Sequence, residues 1–161
     1  MKIFMLCALS AVLFMFNGVA MDIPIKIFND TGQAIVVRDF NFKHSIVNIR
    51  ARKINTGETL RFSIIPIAGE KESFHIVIGG TTIPIVLERI TGKGIGPFIE
   101  QPDAEFRAVK TLEPANGVNL RIVTKKQLPN KEKVQELMQQ RIDLQDLSEQ
   151  TGFTQEELKR Q

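Results

Sequence analysis

The chain has 161 residues, 43% apolar and 24% charged, with a formal net charge of +3. This is the make-up of one globular domain with its own core, not of a disordered chain, and the charge is too small to identify a nucleic-acid or membrane partner. The only cysteine, Cys7, lies in the leading apolar segment, and Trp and Tyr are absent. An internal disulfide framework, a cysteine-based zinc site, a thiol nucleophile and Trp/Tyr stacking platforms are thereby excluded for the rest of the chain.

Residues 1–20 read as a secretory signal. Lys2 supplies a short positive start, residues 3–16 are apolar or small, and Gly18-Val19-Ala20 offers small residues for cleavage before Met21. The apolar run is shorter than the roughly 20 residues that span hydrocarbon, so no transmembrane segment is expected after cleavage. Periplasmic or secreted localisation follows, and the compact start looks bacterial. Asn29-Asp30-Thr31 fits a glycosylation acceptor pattern.

Residues 21–128 are rich in Ile, Val, Thr and Phe and read as strands. In chain order these are 23–28, 34–40, 46–54, 59–65, 73–78, 82–90, 105–112 and 118–125. Pro24 suits an edge position in the first. Turns are expected at Asn29-Asp30-Thr31-Gly32, Asn55-Thr56-Gly57 and Gly79-Gly80. Alternation is clear at Leu60, Phe62 and Ile64 and at Phe74, Ile76 and Ile78, as required of a sheet with one face on a core and the other in water. Residues 91–103 carry no strand pattern. Their Thr91-Gly92-Lys93-Gly94-Ile95-Gly96-Pro97 start reads as a mobile connection, since the phosphate-loop spacing is missing and Pro97 follows in place of a helix.

Residues 129–161 read as a helical tail with one long and one short helix. Val134, Leu137, Met138, Ile142 and Leu144 make one apolar side of the long helix. Thr151-Gly152 breaks it, and Thr154 with Glu157 forms a capping box for the short one. The segment 146–158 resembles a helix-turn-helix centred on Gly152. The chain ends where a reading helix would continue, and the tail is acidic, so no nucleic-acid partner is expected.

Asp39-Phe40-Asn41-Phe42, the turn Asn55-Thr56-Gly57-Glu58-Thr59 and the strand Phe74-His75-Ile76-Val77-Ile78 resemble a cupredoxin-type domain over about 40 residues. In that family an F-x-F strand and a Gly-Asp/Glu-Thr turn precede a copper-ligating His, and the resemblance implies that position for His75. The family's thiolate is missing here, so its electron-transfer role is not carried over. The fold expected is mainly β, a Greek-key β-sandwich of cupredoxin-like or immunoglobulin-like type, with a C-terminal helical tail.

Arg50, Arg52, Arg61, Arg107 and Arg121 take outward positions on four of the strands and would build a basic face for an anionic polymer, a lipid headgroup or an acidic partner. His75 and His44 are the candidate metal ligands. No catalytic residue is assigned, because no nucleophile elbow or marked acid–base pair is present. The expectation is an exported, non-enzymatic protein without cofactor that binds a protein or anionic envelope component. The alternative is a metal-binding cupredoxin relative without a blue-copper site, holding copper or zinc.

Overall fold

Alternation of buried and exposed side chains carries most of the architecture. The computed structural model describes residues 22–43, 50–67, 69–90, 94–111, 117–140 and 142–160. Within them the strands are β1 (Ile23–Asn29), β2 (Ile35–Asn41), β3 (Arg52–Ile54), β4 (Thr59–Ile64), β5 (Lys71–Ile78), β6 (Thr81–Ile90), β7 (Gly94–Ile99), β8 (Phe106–Lys110) and β9 (Val118–Thr124). A 3-10 turn (Lys125–Gln127) leads to α1 (Lys131–Met138), α2 (Leu144–Thr151) and α3 (Gln155–Lys159). In β5 every second residue, from Glu72 to Ile78, is buried. β6 answers with Ile83, Ile85 and Leu87.

One sheet has the order β4-β1-β9-β8 and the other β3-β2-β5-β6-β7. β1 and β9 run parallel, and the remaining pairs are antiparallel. A single apolar core joins both: Ile25, Ile27 and Ile122 from the first sheet pack with Val37, Phe74 and Ile76 from the second. Each such side chain stabilises the fold by about 1.5–3 kcal/mol on burial. The β5–β6 hairpin turns on Gly79 and Gly80, both at positive φ (52° and 82°), a pairing that suits the twist of a two-residue connection.

The Gly-rich stretch is a correction from Gly94 on, and residues 91–93 lie outside those described. Residues 94–99 form β7, paired with β6 from Ile90↔Gly94 to Ile85↔Ile99, and are not a mobile connection. Gly94, Gly96 and Pro97 hide the strand signal, but a long β6 gives them a template. Of the expected strand 46–54, Arg52–Ile54 is found as β3, and residues 44–49 lie outside those described. Asn29 is fully buried and donates to the Gln33 and Ile54 carbonyls, so the glycosylation pattern is closed in the folded chain.

The tail differs from the one long helix expected. α1 stops at Met138, and α2 begins after Asp143, whose side chain accepts from the Asp146 N–H at 2.8 Å. A good N-cap outcompetes a continuous apolar stripe here. Met138 and Leu144 are consequently exposed, at 42% and 38%, and the tail's own small core is Val134, Leu147 and Leu158, flanked by Leu137 and Phe153. The Thr154–Glu157 capping box forms as its sequence pattern indicates. α2 lies on β8 and reaches β7. Gly152, the α2 C-cap at φ +79°, is pressed onto this contact: a Cβ there would sit 2.9 Å from Val109 and 2.8 Å from Leu128.

This close approach makes a test. Gly152→Ala should lower unfolding stability in urea by about 2–3 kcal/mol, combining backbone strain with overpacking. Gly57→Ala has the same backbone sign (φ +80°) but open space around it, so it should cost only about 1 kcal/mol. Equal losses would show that Gly152 does not hold the tail against β8.

Candidate interaction surface

Sheet edges carry unpaired backbone N–H and C=O groups, and proteins either cover them or use them. At the β7/β8 side each edge carries a side-chain cap, at Ile99 of β7 and at Ala108 of β8. Ile99 of β7 gives its N–H to Glu149 Oε1 and its carbonyl accepts from Gln145 Nε2, each at 3.4 Å. In an antiparallel ladder alternate residues face the same way, which places Pro97, with no N–H to offer, on that same outer side. At β8 the Gln101 side-chain amide acts as a one-residue strand: Oε1 accepts from the Ala108 N–H at 3.3 Å, and Nε2 donates to the Ala108 carbonyl.

Glu149 is only 2% exposed and faces Lys110 Nζ at 3.8 Å, with Asp146 on its own helix. Burial pushes its pKa up, against the Gln145 hydrogen bond and the Lys110 charge. A second clamp lies under α3. Arg107 points away from the core shared by the sheets, yet it is fully buried by the tail, donating to the Ala104 and Phe106 carbonyls and meeting Glu157 at 3.5 Å. Lys125 joins the same carboxylate. Burial alone would raise the Glu157 pKa, but the Lys125 and Thr154 hydrogen bonds and the Arg107 charge outweigh it and hold the group at about 2.

On the opposite side no such cap is found among the described residues. β3 and β4 are joined by Asn55-Thr56-Gly57-Glu58 and form the other edge of each sheet. Arg50, Arg52, Lys53 and Arg61 are exposed there, and Lys43 is exposed beyond the end of β2. Residues 43–61 hold five basic side chains and one acid, Glu58, whereas the rest of 22–130 balances at ten of each. The body's entire positive excess therefore sits in residues 43–61, which include β3 and the start of β4. Lys26 of β1 lies directly across from Arg61 in the ladder.

The predicted site residues are thus divided. Arg50, Arg52 and Arg61 gather at the open edge. Arg121 is exposed on β9 but forks onto Asp30 through Nε (2.9 Å) and Nη2. Arg107 is a correction: it is a buried anchor for the tail, not part of a basic surface, because α3 arrives from fifty residues downstream to cover it. His44 lies outside the described residues. His75 is partly exposed on β5, with Nδ1 3.1 Å from Asp39 Oδ2. Asp39 sits in a bulge where Asp39 and Phe40 oppose Phe74 alone, and it takes a left-handed φ of 56°. The bulge turns Phe40 into a ring cluster with Phe42, Phe62 and Phe74. Among the described residues no three His, Cys, Asp or Glu side chains group as metal ligands would, and no helix is long and apolar enough to cross a membrane. No protein-family model and no curated protein matches the chain.

The two tail carboxylates set opposite pH dependences. Glu157 titrates below its ordinary 4.5, so its stabilisation is present above about pH 4.5 and is lost as pH falls towards 2. Glu149 titrates above 4.5, so it favours the fold most below that pH and loses this as pH rises through its folded value. In urea titrations, Glu157→Gln should be less stable than wild type at pH 7 and fall less between pH 4.5 and 2. Glu149→Gln should gain on wild type as pH rises from 4.5 to 7. Parallel curves for either variant and wild type would contradict the assigned contacts.

Proposed function

We propose that the chain is exported and acts outside the cytoplasm as a non-enzymatic binding protein, built on a Greek-key β-sandwich, whose partner is an acidic protein segment held at the β3/β4 edge. The observation that carries this reading is the asymmetry of the two sides. One side is closed by an acidic helical tail, with seven acids to five bases in residues 131–161. The other carries no cap among the described residues and holds the cationic excess. Exposed charges of one sign raise encounter rates and select partners of the other sign, while screening makes such binding salt-sensitive.

The leading apolar segment supports export, since an apolar stretch of this length with small residues at its end is what a signal peptidase recognises. The tail serves as an edge cover in this reading, and the arginines that matter are Arg50, Arg52 and Arg61.

Poly-L-glutamate is the probe. The chain without residues 1–20 should bind it, more weakly as salt rises. Reversing Arg52, Lys53 and Arg61 to Glu together should weaken binding by about tenfold or more, at about 0.5 kcal/mol for each exposed pair. Reversing Lys131 and Lys133, exposed on α1, should change it less than about twofold. Equal effects of the two reversals, or binding insensitive to salt, would contradict the proposal.

A further inference from the structure

Among the described residues, every edge strand of the two sheets except β4 is short or carries a side-chain cap. β3 has three residues. β7 is blunted by Pro97 and capped at Ile99, and β8 is capped at Ala108. β4 is six residues long and ends its sheet. The direction of its free groups follows from the neighbouring turn. Asn29 donates to the Glu58 carbonyl (3.0 Å) and accepts from the Gly57 N–H (2.8 Å), so Asn29 faces β4. Alternation then makes Ile27, Ile25 and Ile23 face it too, opposite Leu60, Phe62 and Ile64. The N–H and C=O groups of Thr59, Arg61 and Ser63 therefore point away from the sheet. All three residues are exposed, and none has a hydrogen bond or ion pair on that side among the described residues.

Resting on the function just proposed, we infer that β4 is a strand-addition site for an extended segment of a partner protein with an acidic residue between two apolar ones. The residue paired with Arg61 lies on the outer face beside Arg61, so a carboxylate there meets the Arg61 guanidinium directly. Its two neighbours point the other way, against Leu60 and Phe62, which are only partly buried at the margin of the core. They gain most if they are Val or Ile. Backbone pairing supplies affinity, and the alternate side chains supply selection.

A second copy of the chain fits this edge poorly. An antiparallel β4–β4 pairing that uses Thr59, Arg61 and Ser63 on both sides sets Arg61 against its own copy. Directly opposed like charges disfavour that pairing, and an edge arginine of this kind is a known guard against self-association.

The test uses the chain without residues 1–20 and three peptides of sequence Ser-Thr-Val-X-Val-Thr-Ser: one with X as Glu, one with X as Lys, and the Glu peptide N-methylated at X and two residues to either side. Amide hydrogen exchange read by NMR is the measurement. At saturation the Glu peptide should slow exchange at Thr59, Arg61 and Ser63 by about tenfold or more, the protection expected when exposed amides enter a ladder. N-methylation should abolish this, and the Lys peptide should bind about fivefold more weakly than the Glu peptide. The variant Arg61→Glu should reverse the Glu/Lys preference. If the Glu peptide and its N-methylated form bind equally and leave these three amides unchanged, strand addition is wrong while the cationic-edge reading stands. If neither the peptides nor poly-L-glutamate binds, both are wrong.

Discussion

A sheet has to do something with the backbone groups on its rims, and this molecule does two different things with them. On the β7/β8 side, three side chains substitute for a missing strand: Gln101 at Ala108, and Glu149 with Gln145 at Ile99. On the β3/β4 side, the free groups of Thr59, Arg61 and Ser63 face outward without described partners. Leaving polar backbone groups unpaired is tolerable only in contact with water, so the second side must stay wet or be covered by another chain.

Sealing one side has a cost in charge burial. Glu149 is taken out of water to reach Ile99, and Arg107 is taken out of water beneath α3. Arg107 even keeps a buried Nε–H with no hydrogen-bond partner among the described residues. Such groups are retained only where other contacts offset their desolvation. Here those contacts are the Ala104 and Phe106 carbonyls, Glu157, Lys110 and the close fit of Gly152 against β8. The tail is thereby tied to the sheets by polar clamps around a small apolar core of Val134, Leu147 and Leu158.

The strand body was legible where alternation is clean, as in Leu60-Arg61-Phe62 and Phe74-His75-Ile76, because period two is the geometry of a sheet with one wet face. β7 was not, since Gly94, Gly96 and Pro97 have little strand preference and depend on β6 as template. The bulge at Asp39 was also invisible: nothing local announces that Asp39 and Phe40 share one partner residue. Of the candidate site, Arg107 and Arg121 look alike as outward strand residues in the sequence. They part company only because α3 folds over one and Asp30 lies beside the other. The caps at Ile99 join residues 46 and 50 positions apart, which no window along the chain can see. Basic residues at 50–61 were visible as charges, but their gathering on one edge required the sheet order.

β4 presents alternate, unpaired amides to solvent, while Ile99 and Ala108 on the far side lie under side-chain caps. Native-state amide exchange of the free protein measures this most directly. The account predicts fast exchange at Thr59, Arg61 and Ser63, slow exchange at Leu60, Phe62 and Ile64 between them, and slow exchange at Ile99 and Ala108 under their side-chain caps. Uniform protection along β4, or rapid exchange at Ile99 and Ala108, would contradict it.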